Sequence, residues 1–331
     1  MVLNKIGLQG INSINDISSE NFQDIALAIF NFQYLGNPVY RQFADALHRQ
    51  PRNVQSLEAI PFLPISFFKS HKVITGADAP TLIFESSGTT GEVTSKHYVT
   101  DEAIYRASLL HGFKQFYGDP KDYVIIALLP SYLERKNASL VHMAKVLMEE
   151  SPHPDNGFYL NEWEKLADTL LSLEVRKRPV LLLGVTFALL DFAESHPLKL
   201  EHTIVMETGG MKGRREEWTR AQVHAYLKQQ WGAASVHSEY GMTELLSQAY
   251  SKHDGIFMPS ATMKVLVRDV NDPLDVSSSG AGCLNIIDLA NVNSCSFIAT
   301  EDIGNISLDG SFEVLGRMDH SALRGCSLMT A

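Results

Sequence analysis

The sequence predicts an α/β fold with a β-rich C-terminal part, on three observations. Short apolar runs at Tyr123–Leu129, Val180–Leu183 and His202–Glu207 alternate with helix-patterned segments between about residues 80 and 250. Such runs read as buried parallel strands with helices packed on them. After about Lys252 the helical runs stop, and brief β-like runs separated by Gly, Asp, Pro and Ser take over. The chain of 331 residues, 45% hydrophobic and 20% charged, has ample core and the composition of an ordinary globular protein rather than a disordered one. The expected division is an α/β core with an N-terminal helical segment over residues 1–252, then a small β-rich subdomain over 253–331 that ends in a short mobile tail.

The elements follow in order. Residues 1 to about 75 have largely helical patterning. Asn37 is placed to cap a helix with Pro38 at its first position, where a missing N–H costs nothing. Val39, Phe43, Ala46 and Leu47 recur there at helical spacing and are expected to form its buried face. Ile60–Lys69 is too proline-broken for a long helix and is expected to run extended. Thr81–Phe84 is a short strand feeding a polar glycine loop over Glu85–Lys96. Helices are expected over Asp101–Phe116, Leu140–Met148, Asn161–Leu173 and Glu216–Trp231, with another between the strands at Val180 and His202. The β-like runs of the C-terminal part are Met263–Val267, Gly282–Ile287, Ser296–Ala299 and Phe312–Val314.

Charge and cysteine usage narrow the function classes. Asp and Glu number 38 against 28 Lys and Arg, a net −10, which argues against nucleic acid as a partner and against anionic membranes. The longest apolar stretch, Val180–Leu190, is too short to span a bilayer, so no membrane insertion is expected. Cys283, Cys295 and Cys326 contain no CxxC pair and cannot complete a disulfide framework. Met1–Gly10 lacks the basic and apolar regions of a secretory signal, so the expected location is cytoplasmic.

Four motifs carry chemistry. Ser86-Ser87-Gly88-Thr89-Thr90-Gly91 combines two glycines, which permit close backbone approach to a ligand, with four hydroxyls. Such a loop between a strand and a helix cradles phosphates through N–H groups and the helix dipole. It lacks the Gly-Lys-Ser/Thr of a Walker A loop, and alone it is equally a flexible turn. Ser238–Glu244 (SEYGMTE) offers Tyr240 as a stacking face, Thr243 as a phosphate donor and Glu244 as an oxygen ligand for Mg²⁺. The plainer alternative is a strand-end turn entering a helix capped by Thr243. Thr300–Gly304 sets Asp302 beside a turn glycine, suited to sugar hydroxyls or simply to a turn between strands. Gly316–Asp319 supplies Arg317, a permanent bidentate cation for phosphate or ribose, or else a surface partner for Asp319.

In this order, from Phe84 to Gly325, the four motifs resemble the adenylate-forming superfamily of acyl-CoA synthetases, luciferases and related ligases. Within it the chain is most similar to the acyl-protein synthetase branch, the ligase subunit of bacterial bioluminescence fatty-acid reductase. That similarity rests on Pro61–Lys69, Leu129–Arg135, Glu207–Gly213 and Arg317–Ser327. The resemblance implies a layered αβαβα large domain. It implies ATP and Mg²⁺ as cofactors, a carboxylic (fatty) acid as substrate, and a protein partner that accepts or reduces the acyl group.

The resemblance also implies residue roles. Ser86–Gly91 would meet the β- and γ-phosphates, and Gly209 and Gly210 would line the adenine and acyl pocket. Tyr240 would pack on adenine, Thr243 would reach the α-phosphate and Glu244 would lie near Mg²⁺. Asp302 would hold the ribose, with Arg317 beside it. Cys326, near the end at Ala331, matches the acyl-accepting cysteine of this branch. The family's Pro-Lys pair after the loop is interrupted here by Glu92–Ser95 before Lys96. The small C-terminal domain whose lysine supports adenylation in many members is expected to be absent, and Lys212 is the substitute candidate. Two rivals remain: an acyl- or aryl-CoA ligase that uses coenzyme A directly, and a degenerate module that binds nucleotide without catalysis.

Overall fold

The computed structural model describes residues 13–86, 93–130, 137–209 and 218–318. Helix α1 (Phe22–Gly36) leads into α2 (Pro38–Ala46), which Asn37 caps by accepting from Tyr40 N at 3.1 Å, with Pro38 at the first position as expected. Its buried face is a correction: Tyr40 and Ala44 point inward, while Ala46 is exposed and Val39, Phe43 and Leu47 are only partly covered. Asn37 fixes the rotation. It is itself buried, donating to Ser294 O at 3.0 Å, and Tyr40, one turn on, donates to Pro61 O at 2.8 Å. The Ile60–Lys69 segment contains the two-residue strand β1 (Leu63–Pro64), parallel to Ile298–Ala299, and a one-turn helix α3 (Phe67–Ser70).

Strands β2 (Leu82–Glu85) and β3 (Lys96–Val99) form an antiparallel hairpin with Glu85 opposite Lys96. The described elements on either side of Ser86–Gly91 are therefore both strands, where a following helix was expected. The polar run Lys96-His97-Tyr98-Val99 carries little strand signal. It is held in place because His97 and Val99 turn into the core.

The expected alternation follows: α4 (Glu102–Tyr117, capped by Asp101), β4 (Val124–Leu128), α5 (Ser139–Glu150), β5 (Gly157–Tyr159), α6 (Trp163–Val175), β6 (Val180–Val185), α7 (Thr186–Ser195), β7 (Thr203–Thr208), α8 (Arg220–Trp231) and β8 (Val236–Tyr240). β5 lies in the loop expected after α5, and three residues pairing with β4 at the sheet edge suffice to make it a strand. Parallel pairing runs β5–β4–β6–β7–β8, and every residue of β4 and β6 is buried. Burial on both faces is the reason these runs read as continuously apolar.

The sheet continues antiparallel through β9 (Ala249–Ser251), β10 (Ile256–Pro259), β11 (Met263–Arg268), β12 (Val276–Ser277), β13 (Gly280–Asp288), β14 (Phe297–Ile306) and β15 (Phe312–Arg317). It is a mixed sheet of 13 strands ordered β12-β11-β13-β14-β15-β10-β9-β8-β7-β6-β4-β5, with β1 beside β14. Thr300–Gly304 lies inside β14 and not in a turn. Gly304 is demanded by packing: a Cβ there would run into Glu313 O and come within 2.9 Å of Leu284. Among the described residues no helix is long and apolar enough to cross a membrane.

Between β8 and β9, Gly241–Gln248 forms an irregular turn, so Thr243 caps no helix. Side chains satisfy its backbone. His97 Nδ1 lies 2.9 Å from Thr243 O, and Asn291 Nδ2 donates to Glu244 O at 2.7 Å. His97 Nε2 is 2.8 Å from Asn291 Oδ1, joining the two posts. Asp288, fully buried, accepts from Leu246 N at 2.7 Å, Ser247 N at 3.0 Å, Ala290 N at 3.1 Å and Ser247 Oγ at 2.5 Å. Each buried donor left unpaired costs about 1–3 kcal/mol. Asp288→Ala should therefore lower unfolding stability by at least about 3 kcal/mol in urea titrations. A loss below about 1 kcal/mol would show that the turn holds without this carboxylate.

Candidate active site

The irregular turn forms one wall of a cavity of about 700 Å³ at the C-terminal ends of the parallel strands, where ligands of open α/β sheets commonly bind. Tyr240 ends β8, with its ring against Phe257 and Phe312 at 5.8 and 5.4 Å. Its hydroxyl donates to Asp302 Oδ2 at 2.8 Å, and Arg317 Nε donates to Asp302 Oδ1 at 3.2 Å. Asp302 and Arg317 face each other because β14 and β15 pair them in register. Asp302 is 92% covered while Arg317 remains two-thirds exposed. Both carboxylate oxygens keep lone pairs for further donors.

Glu244 is buried in the same wall. Burial pushes its pKa up, opposed by hydrogen bonding from Ser95 and by the charges of Arg317 and Lys69. Ser86, Gly209 and Thr243 also line the cavity. Ser86 Oγ accepts from Ser95 N at 2.8 Å, closing the neck of the hairpin loop. Gly209 has φ +75°, which glycine adopts freely. The structure thus gathers Ser86, Gly209, Tyr240, Thr243, Glu244, Asp302 and Arg317 around one space. Ser87, Gly88, Thr89, Thr90, Gly91, Gly210, Lys212 and Cys326 lie outside the described residues. Lys96, the displaced loop lysine, pairs across the hairpin with Glu85 at 3.5 Å.

Sequence reasoning missed four contributors. Lys69, from the proline-broken segment, adds a second cation to the wall. Glu207 is buried at the end of β7, where Thr186 Oγ1 donates to it at 2.9 Å and Arg220 Nε at 3.0 Å. Burial alone would raise its pKa, but hydrogen bonding from His224, the Arg220 charge and Ser238 more than offset this and hold it low. Arg220 also lies 4.9 Å over Phe257, so it ties α8 to β10 as well as, through Glu207, to β7. Glu239, inside the Tyr-Gly motif, accepts from Thr208 Oγ1 at 2.5 Å. A carboxylate inside an apolar strand pattern was the available signal for Glu207 and Glu239.

Outside the cavity, His237 is set between Tyr117 and Ser235, each at 3.1 Å, and burial pulls it down to about 4, a neutral packing role. Cys283 and Cys295 are buried free thiols. No cluster of three or more His, Cys, Asp or Glu able to hold a metal exists among the described residues. A smaller, mainly apolar cavity of about 280 Å³ lies behind Thr300 and Glu301, lined by Phe43, Phe62 and Leu274. None of the motif carboxylates except that shared backbone segment reaches it, so the larger cavity is the chemical one.

Burial, offset by the Thr208 hydrogen bond and reinforced by nearby Glu207, pushes Glu239 up to about 7 from an ordinary 4.5. The folded protein then holds a proton that the unfolded chain has released. Stability due to this group is full below about pH 4.5 and falls as pH rises through about 7, by up to about 3 kcal/mol. Urea unfolding between about pH 5 and about pH 8 should show this slope, and Glu239→Gln should flatten it. Parallel profiles for both proteins would contradict the assignment.

Comparison with known proteins places the chain in a family and its fold among solved structures. The profile of the family described as "Acyl-protein synthetase, LuxE" matches residues 10–331. No curated protein matches by sequence. The fold is similar to ATP-bound MatB from Rhodopseudomonas palustris, with TM-score 0.56, 18% identity and 73% of this chain covered against 49% of that one. It is also similar to an open 2-hydroxyisobutyryl-CoA ligase in complex with 2-HIB-AMP and CoA, with TM-score 0.67, 11% identity and coverage of 93% and 76%. The chain spans about half the length of the MatB structures it matches.

Proposed function

The chain belongs to the LuxE acyl-protein synthetase family, and on that premise we propose that it is an AMP-forming ligase that activates a carboxylic acid with ATP and passes the acyl group to a thiol. The observation that carries this is the convergence of Tyr240, Glu244, Asp302 and Arg317, from three separate motifs, on one cavity. A carboxylate oxygen of the acid attacks the α-phosphorus. An acyl C–O–P linkage forms, the bond from the α-phosphorus to the bridging oxygen breaks, and pyrophosphate departs. A thiol sulfur then attacks the acyl carbon, the C–S bond forms, the thiol proton goes to solvent and AMP leaves. Splitting the transfer in this way divides one difficult step into two.

The residue roles are those the family resemblance implies, and the shared cavity supports them for Ser86, Gly209, Tyr240, Thr243, Glu244, Asp302 and Arg317. Asp302 receives ribose hydroxyls on the lone pairs that Tyr240 and Arg317 leave available, and Tyr240 packs against adenine. Thr243 meets the α-phosphate, Gly209 and Gly210 let nucleotide and acyl group approach the backbone, and Ser86–Gly91 holds the β- and γ-phosphates. Lys212 and Arg317 offset phosphate charge. One buried carboxylate fits Mg²⁺, which takes one or two carboxylates together with substrate phosphates. Glu244 is that ligand, and the ion would neutralise charge on the phosphates. Cys326 is the acyl-accepting thiol, from which an accepting or reducing protein partner takes the acyl group. The family's fatty-acid class meets apolar wall at Ala138, Leu140 and Met143.

The test is acid-dependent exchange of labelled pyrophosphate into ATP, followed by a search for label from the acid on the protein. Exchange should need acid and Mg²⁺. Asp302→Ala should weaken ATP binding about tenfold or more, at roughly 1.4 kcal/mol per decade. Glu244→Gln should cut exchange far more than ATP affinity. A hydroxylamine-sensitive label should appear on the wild type and vanish in Cys326→Ser while exchange persists. ATP binding with no exchange for any acid would favour the degenerate module. Acyl-CoA formed without protein label would favour a coenzyme A ligase.

A further inference from the structure

Three cations line the cavity among the described residues: Lys69, Arg220 and Arg317. Two are engaged by buried carboxylates, Arg220 by Glu207 at 3.0 Å and Arg317 by Asp302 at 3.2 Å. Lys96 is engaged across the hairpin by Glu85 at 3.5 Å. Lys69 forms no ion pair with a described carboxylate. The fold nonetheless holds its backbone in place. Phe68, the residue before it, is buried and meets His97 of β3 edge-on, with ring centres 5.8 Å apart. Just after α3, Lys72 lies 5.5 Å over the ring of Tyr98, also in β3. Helix α3 therefore stands on β3, near Ser95. The Ser95 N–H donates to Ser86 Oγ at the neck of the hairpin loop, and the Ser95 side chain hydrogen-bonds Glu244. With Phe68 turned in, Lys69 is exposed at the cavity wall, close enough for its charge to act on buried Glu244.

That wall is otherwise rich in carboxyl groups: Glu85, Glu239, Glu244, Glu301 and Asp302 all line it. A triphosphate entering it needs a cation that no carboxylate already engages, since charge-assisted hydrogen bonds are the strong ones. We propose that Lys69 is a catalytic residue whose ammonium group binds the β- and γ-phosphates of ATP and stabilises the pyrophosphate as it leaves. This rests on the ligase reading for the nucleotide and its reaction. With ribose at Asp302 and the α-phosphate at Thr243, the remaining phosphates run toward Ser86 and Ser95, where α3 presents Lys69. As the bond from the α-phosphorus to the bridging oxygen breaks, its electron pair stays on that oxygen. Lys69 keeps its protons and donates hydrogen bonds to the pyrophosphate, where the negative charge grows. A lysine suits this task because its ammonium is a compact charge on a flexible stem and can follow the departing group.

The experiment uses the full chain with Mg²⁺ and compares ATP with AMP by calorimetry. Lys69→Met should weaken ATP binding about tenfold to a hundredfold while changing AMP binding less than about twofold. Lys69→Arg, which keeps the charge, should recover most of the loss. Lys72→Met removes an equal charge beside α3 but outside the cavity lining, and it should leave both affinities unchanged. In acid-dependent pyrophosphate exchange, Lys69→Met should raise the KM for pyrophosphate and lower the maximal rate. Unchanged ATP affinity in Lys69→Met, or an equal loss for ATP and AMP, would overturn the proposal, and with exchange intact the ligase reading would stand. An ATP-selective loss with no exchange by the wild type for any acid would support the phosphate contact while sinking the ligase reading.

Discussion

Buried irregular backbone must find hydrogen-bond partners, and this constraint organises the site. Gly241–Gln248 leaves the end of a parallel strand, turns without helix or ladder, and returns as β9. From Glu244 to Gln248 its residues are buried, where regular structure would have paired the carbonyls and amides. Side chains from other segments do so instead: His97 from β3, Asn291 from the turn between β13 and β14, and Asp288 at the end of β13. The β-rich part of the chain is therefore no appendage to the α/β part. Its polar side chains hold the turn that carries Thr243 and Glu244, and β14 carries Asp302 to within hydrogen-bond reach of Tyr240.

Besides Asp288, the cavity and the strand beneath it hold Glu207, Asp302, Glu244 and Glu239, buried carboxylates with different partners. Glu207 is paired with Arg220 and kept ionised. Asp302 has two donors, one of them charged. For Glu244 and Glu239 burial outweighs the groups that oppose it, and both are raised. A buried carboxylate that is not fully compensated is costly in a scaffold and useful where a ligand completes its surroundings. These two face the cavity, whereas Glu207 braces the strand beneath it.

Much of this was legible in the residues. The parallel strands were readable because burial on both faces makes them apolar throughout, and the Asn37–Pro38 cap because capping chemistry is local. The four motifs were visible as residue types at fixed spacing. What escaped depends on partners far away in the chain. Strand β3 is polar along much of its length and is held by pairing with β2 and by His97, which bonds across 146 residues to Thr243. Thr300–Gly304 resembles a turn in composition, yet β15 and Leu284 crowd Gly304 into a strand. The buried face of α2 was misjudged because Asn37, a polar residue, is the one anchored inside. Lys69 and Glu239 gain meaning only when the cavity brings them beside Glu244 and Gln248.

The turn bearing Thr243 and Glu244 is set by protein side chains before any ligand arrives. Amide hydrogen exchange at Leu246 and Ser247, measured in the free protein and with ATP, tests it most directly. Both amides, held by Asp288, should exchange in the free protein as slowly as the core strands β4 and β6, and ATP should change them little. Fast exchange in the free protein that slows only when ATP binds would contradict it, because the ligand and not the fold would then be building the site.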